Sequence, residues 1–227
     1  MRRKMPMSER LFRRFFYKYW ARYLLVDLQL IAKRDTLDYI QAKMSDALLF
    51  EDRWDVLSYA VEQATLPGLY LEFGVEKGAS INWMARRTDR TIHGFDSFEG
   101  LPEDWAGTFE RRGKFSRRGQ VPKVAPNVRL HTGWFDRTLP EFLRGTGEKV
   151  ALLHVDCDIY SSTKTIFDLL GDRLGAGTII VFDEYFNYPN WRKHEFRAFQ
   201  EFVARTGLAY DYAGFCVKDG HVVARVR

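Results

Sequence analysis

The chain has 227 residues, enough for one domain with a sizeable core and an appendage. Its formal charge of +5 comes from 35 basic and 30 acidic residues, and the surplus is local: Met1 to Arg34 carries ten Lys/Arg against two acids, leaving 25 basic and 28 acidic residues elsewhere. A slightly acidic body argues against a nucleic-acid-binding surface, and two cysteines, Cys157 and Cys216, are too few for a disulfide framework and imply a reducing, cytoplasmic setting.

The first segment reads as a helix. Arg10, Arg14, Lys18 and Arg22 fall four apart, while Phe12, Phe15, Phe16, Tyr19, Trp20 and Tyr23 fill much of the rest. Such a helix packs on its own domain, packs on a second copy of the chain in a homo-oligomer, or lies on an anionic membrane surface. No apolar run reaches the ~18 residues of a membrane span, since Asp27 breaks the best stretch, Tyr23 to Ala32. Arg13, Arg14, Lys18 and Arg22 interrupt any signal-peptide apolar region after Met-Arg-Arg-Lys, so no targeting segment is expected. A second helix is expected from about Thr36 to Ala64. Residues 1–64 therefore form an N-terminal helical extension, and 65–227 the main domain.

From Leu69 the pattern alternates. Strands are expected at Leu69 to Phe73, Thr91 to Phe95, Val128 to His131, Val150 to Val155 and Thr178 to Phe182. Helices are expected at Ala79 to Arg87, Ser161 to Leu174 and His194 to Arg205. Ala209 to Val217 and His221 to Val226 flank Asp219-Gly220 as a hairpin. The fold class is α/β: a Rossmann-like, doubly wound, mostly parallel sheet with a C-terminal antiparallel hairpin. Glu99 to Pro126, rich in Gly, Pro and Arg, is read as a lid or, alternatively, a disordered surface loop.

Open α/β sheets bind ligands beyond the carboxyl ends of their strands. The first strand runs into Glu72-Phe73-Gly74, followed by Gly78 and Ser80 where a helix begins. This Gly-x3-Gly spacing is not the fingerprint that seats a pyrophosphate. Glu72 before the first glycine suits a cationic ligand, and S-adenosylmethionine, with an amino-acid group and a sulfonium, is such a ligand. Asp96, with Ser97 beside it, ends the second strand and can accept both hydrogens of a ribose diol; its alternative role is a helix cap.

Asp156 and Asp158 close the fourth strand, and Asp183 and Glu184 close the fifth. In a 3-2-1-4-5 strand order the two ends adjoin. Acids packed together raise one another's pKa, and a hard divalent cation with oxygen ligands relieves that repulsion. Asp156, Asp183 and Glu184 are read as Mg²⁺ ligands, with Asp158 behind them or as a fourth. The alternative is helix capping and ion pairing.

Glu72 to Ser80, Phe95 to Pro102, Gly133-Trp134-Phe135 with Thr138-Leu139-Pro140, His154 to Thr163 and Asp183-Glu184-Tyr185 together resemble the macrocin O-methyltransferase family. The resemblance covers about Leu66 to Phe202. It implies a class I methyltransferase domain, S-adenosylmethionine, Mg²⁺ at Asp156, Asp183 and Glu184, and an adenine bordered by Gly133 and Trp134. The expected acceptor is a small-molecule hydroxyl, on a sugar or glycosylated natural product. Glu184 departs from the Asp expected there, and no histidine lies between Gly94 and Val128, where the family would place a lid base. His194, eleven residues beyond the fifth strand, and Asp158 are the candidate bases. His93, His131 and His154 read as core residues. RNA methylation through the basic arm and a non-catalytic module retaining the fold are the competing readings.

Overall fold

The computed structural model describes residues 7–20 and 22–227. The first six residues, with their three cations, and the side chains of Arg13, Tyr19 and Trp20 lie outside the described residues, so the expected stripe is described only in part.

The arm begins with helix α1 (Met7–Phe15), runs through a π-helical turn at Phe16–Trp20, and continues as α2 (Leu24–Lys43). The single helix expected from Thr36 to Ala64 is instead divided. α2 ends at Lys43, a short strand β1 (Leu48–Phe50) follows, and α3 (Arg53–Gln63) starts anew. The restart has a local cause: the Asp52 carboxylate accepts the Trp54 N–H at 2.7 Å as an N-cap. One side of α2 is fixed to the body. Thr36 Oγ1 accepts the Asn187 N–H at 3.0 Å, Gln29 donates to the Asn187 carbonyl at 2.6 Å, and Asp35 receives Arg192 in a two-pronged ion pair.

The main domain alternates as expected: β2 (Leu69–Phe73), α4 (Ala79–Ala85), β3 (Ile92–Asp96), β4 (Val128–Thr132), α5 (Phe135–Arg144), β5 (Val150–Val155), α6 (Tyr160–Leu170), β6 (Ile179–Phe182), α7 (Glu195–Thr206), β7 (Tyr210–Cys216) and β8 (Val222–Val226). α5 was not expected as a helix; Pro140 sits inside it, where proline normally argues against one. The strands form a single sheet in the order β1-β7-β8-β6-β5-β2-β3-β4. Its second half is the expected 3-2-1-4-5 arrangement, all parallel. β8 is inserted antiparallel between β6 and β7, and β1 joins the far edge parallel to β7.

β2, β5 and β6 are buried along their whole lengths, which is why they read as unbroken apolar runs. Helices cover both faces. Phe73, Phe95, Phe167, Phe182 and Phe199 lead the core on one side, and Val56, Ile81, Ile92, Leu152 and Val181 that on the other. Two polar residues interrupt these strands. Glu72 and His154 sit opposite one another in the β2–β5 register, so their side chains share a face and meet.

Candidate active site

The carboxyl ends of β2, β3, β5 and β6 border one cavity of about 450 Å³, within the range of small-molecule sites. Gly74, Ser80, Asp96, Ser97 and Trp134 line one end of it, and Asp156, Asp158, Asp183 and Glu184 the other. The two sets that the sequence placed on different strands therefore share one space. Residues beyond the expected set also line it: Arg53 from the start of α3, Leu101, Pro102 and Phe115 from the 99–126 segment, and Ser161, Ser162 and Thr165 from α6.

At the glycine end, Gly74 has φ +93° and a Cβ there would stand 1.6 Å from the Asp156 carbonyl oxygen. This glycine is needed because the β5 exit crosses close to it. Gly78 (φ +78°) occupies the N-cap position of α4 and Gly133 (φ +140°) the turn before α5, and neither lines the cavity. Asp96 accepts the Val75 and Glu76 N–H groups on Oδ2, both at 2.8 Å, and the Phe98 N–H on Oδ1 at 2.6 Å. It thus shapes the glycine loop while facing the cavity. Trp134 presents a ring that is 37 % exposed.

Glu72 is not where a ligand-binding acid was expected. It is fully buried and absent from the cavity lining; its carboxylate takes the Ser80 hydroxyl at 3.0 Å and His154 Nδ1 at 3.0 Å. Burial pushes the Glu72 pKa up despite His154. His154 is correspondingly not an inert core residue. Although burial opposes its charge, Asp183 and Glu72 beside it hold its pKa up to about 10. Its Nε2 points toward Asp183 at 3.8 Å, too far for a hydrogen bond, and has no other partner.

The acids gather closely. Ligand atoms of His154, Asp156 and Asp183 lie within 4.8 Å of one another, as do those of Asp156, Asp158 and Glu184. Asp156 belongs to both groups, and Asp183 and Glu184 to different ones. Burial and the Asp183 charge push Asp156 and Glu184 well above the ordinary carboxylate range. The same causes bring Asp158 to about 7. Asp183 goes the other way: burial would raise it, but the charges of His221 and His154 hold it well below its usual value. Glu184 Oε2 is buried without a partner.

Two residues of this centre escaped the sequence reading. His221, after the β7–β8 turn, contacts Asp183 through Nε2 and Asp219 through Nδ1 at 2.6 Å. Burial opposes its charge, yet Asp183 and Asp219 lift its pKa to about 9. The turn is delivered there by the Tyr185 N–H, which donates to the Gly220 carbonyl at 3.0 Å. Glu195, the first residue of α7, is fully buried; Oε1 accepts the Cys157 and Asp158 N–H groups at 3.4 and 3.3 Å, and Oε2 the Glu184 N–H at 3.2 Å. The adjacency of His194 and Glu195 to an acidic loop was visible in the sequence, but only the helix start picks out the glutamate as the inward-facing one.

His194 itself does not line the cavity. Its Nε2–H donates to the Ala106 carbonyl at 2.8 Å, and its ring stacks on Tyr188 and meets the edge of Trp105. Burial lowers its pKa, keeping it neutral. It clasps the segment that the sequence left between lid and disordered loop. That segment is ordered by its own backbone bonds, Leu101 to Lys114 and Trp105 to Glu110 among them, and covers the cavity with Leu101, Pro102 and Phe115.

The chain is 30 % identical to the 8-demethyl-8-(2,3-dimethoxy-alpha-L-rhamnosyl)-tetracenomycin-C 4'-O-methyltransferase of Streptomyces olivaceus over 59 % of this chain and 60 % of that protein. It is 29 % identical to the demethyldecarbamoylnovobiocin O-methyltransferase of Streptomyces niveus over 55 % of each. It thus spans less than two thirds of the length of these curated relatives. Its fold is that of the calicheamicin methyltransferase CalS11, with a TM-score of 0.61 at 21 % identity over 98 % of this chain and 94 % of that one. Residues 71–185, just over half of the chain and the stretch holding the glycine loop and the four acids at the ends of β5 and β6, match the family model described as a methyltransferase domain, and the protein belongs to that family.

Proposed function

We propose that the protein transfers the methyl group of S-adenosylmethionine to a hydroxyl of a sugar or glycosylated small molecule, with Mg²⁺ at the acid cluster, as its resemblance to macrocin-type O-methyltransferases implies. The observation that carries this reading is the meeting, in one cavity, of a glycine-loop end and a cluster of acids. The names of two relatives, both O-methyltransferases and one of them acting on a rhamnosyl-bearing tetracenomycin, support the acceptor class.

Asp96 spends three acceptor positions on backbone amides, and a carboxylate has about four, so one remains for a ribose hydroxyl. The exposed Trp134 ring offers a flat face to an adenine. Ser80 and the Gly74 backbone border the donor's amino-acid end.

The residues present fit a hard cation. Asp156 stands within ligand distance of Asp158 and Glu184 on one side and of Asp183 on the other, so these carboxylates would hold the ion; Glu184 Oε2 is buried without a hydrogen-bond partner among the described residues, and two of the acids are driven far toward their neutral forms when nothing offsets their mutual repulsion. When bound, such an ion supplies Lewis acidity that lowers the pKa of an acceptor hydroxyl.

The transfer forms a carbon–oxygen bond as the carbon–sulfur bond of the sulfonium breaks, and S-adenosylhomocysteine leaves. The acceptor's proton needs a base inside the cavity. Asp158 lines it and is the carboxylate we assign to take that proton. His194 is occupied by the Ala106 carbonyl and serves to close the lid. Leu101, Pro102 and Phe115 exclude water above the reacting atoms. Alignment of the two partners contributes roughly 7–11 kcal/mol in well-oriented reactions.

The test is incubation with methyl-labelled S-adenosylmethionine and a panel of sugar-bearing acceptors, before and after exhaustive EDTA treatment. Label is expected in the acceptor, lost with EDTA and restored by Mg²⁺. Activity that survives EDTA removes the metal from the account, and failure to bind S-adenosylmethionine in calorimetry removes the reaction. Label appearing only in RNA would transfer the activity to the competing nucleic-acid reading.

A further inference from the structure

The catalytic proposal leaves the arm unused. α1 carries two surfaces at helical period. Met7, Leu11, Phe15 and Phe12 fall within an arc of about 140°, and Arg10 and Arg14 lie along one edge of it. Met7, Leu11 and Phe12 are 78 %, 66 % and 66 % exposed. Phe12 and Phe16 stack along the apolar side with ring centroids 6.0 Å apart. The exposure continues on α2. Its inward side is held by Ala32 and Thr36, while Leu24, Val26, Leu28, Leu30, Ile31 and Leu37 stand exposed around the rest of it, with Asp27, Arg34 and Asp38 among them. A run of large apolar side chains of this extent marks an interaction surface.

Charge chooses the occupant. Residues 1–38, which span the surface, carry ten cations and four acids, and Asp35 is already paired with Arg192. Two such arms laid against one another repel, whereas an anionic lipid surface attracts each cation. Aliphatic side chains such as Leu11, Leu30 and Ile31 have no base to stack on in a nucleic acid, but they dissolve in acyl chains. No helix among the described residues is long and apolar enough to cross a membrane, so the arm would lie within the interface, with the apolar arc down and the arginines at headgroup level. We propose that the arm docks the protein onto an anionic lipid bilayer through α1, extended by the outer side of α2. This inference is independent of the catalytic reading.

The test uses the full chain, sedimented with vesicles of phosphatidylcholine alone or mixed with phosphatidylglycerol. Wild type is expected to pellet only with the anionic vesicles, and less at high salt. Removing two cations in R10A/R14A should lower the partition coefficient roughly 30-fold. L11A/F12A should also weaken it, and both variants should melt with wild type because the side chains are exposed. The proposal is overturned if wild type stays in the supernatant with anionic vesicles, or if both variants partition as wild type does. It is equally overturned if L11A/F12A converts a dimer to a monomer in analytical ultracentrifugation, which would give the surface to a second copy. Tighter binding to an RNA homopolymer than to the anionic vesicles would give it to nucleic acid.

Discussion

Glu195 shows how a single buried carboxylate organises this centre. Both its oxygens accept backbone N–H groups, from the β5 exit at Cys157 and Asp158 and from the β6 exit at Glu184. Asp158 holds φ +65°, a conformation that costs a non-glycine residue free energy and persists only when its surroundings enforce it. Glu195 contributes to that enforcement through the Asp158 N–H, beside the Ile159 N–H bond to the Cys157 carbonyl at 2.7 Å. In E195Q one oxygen becomes an amide nitrogen, which cannot accept, and at least one buried N–H is left bare. A loss of about 1–3 kcal/mol in urea unfolding is expected. Mn²⁺ affinity should fall by about tenfold or more, as for other residues behind metal ligands, while S-adenosylmethionine affinity stays put. Unchanged Mn²⁺ affinity in E195Q would show that the two loops hold themselves. The four acids at the ends of β5 and β6 were legible because each pair sits at the end of an apolar run. Glu195, His154 and His221 were not, because their meaning depends on partners far along the chain: Glu195 on Cys157, His154 on Glu72, His221 on Asp183. Glu72 misled for the same reason, since its register partner His154 takes the charge that was assigned to a ligand.

Among the elements, the covering segment 99–126 has its own small core. Leu101, Trp105 and Ile159 pack together with Tyr188, apart from the two cores that flank the sheet. Such a satellite opens locally at less cost than global unfolding. Trp105→Ala removes its largest member and the edge contact to His194. Hydrogen exchange should then quicken across residues 99–126 and little elsewhere, and KM for the acceptor should rise more than that for S-adenosylmethionine. Uniform acceleration across β2 and β5 would mean that the segment is part of the main cooperative unit. Element boundaries were mostly readable from periodicity and turn residues. Two elements were not. β1 has only three residues, and its partner Gly214–Cys216 lies at the other end of the sequence. α5 hides behind Pro140. The arm's helical character was readable, but α2 begins at Leu24, twelve residues before the expected start at Thr36, and the break at Met44 to Asp52 was masked by apolar residues whose period runs on through it.

For the whole molecule, the acid cluster is a cost carried by the fold. Asp156 and Glu184 are half-buried, and desolvation together with the charges of Asp183 and Asp158 forces them toward neutrality. A divalent ion that binds only the folded state stabilises it by about 2.7 kcal/mol at a hundred times its Kd. Saturating Mg²⁺ should therefore raise the melting temperature of wild type. D156N should melt higher than wild type in EDTA, because an amide escapes the repulsion without taking up a proton on folding, and should lose the Mg²⁺-dependent rise. A D156N variant that melts lower in EDTA and still responds to Mg²⁺ would move the cation elsewhere.

The placement of β8 has a further bearing on how this protein comes into being. On the ribosome, β6 emerges some forty residues before the strand that must lie beside it, and β7 appears earlier than β8, which bridges the two. β1, among the first segments made, can be seated only after β7 is. Until His221 leaves the exit tunnel, Asp183 also lacks one of its two cationic neighbours. Completion of the sheet thus waits for β8, and a nascent chain halted at Thr206 would have an open sheet edge along β6, the feature most apt to recruit a chaperone.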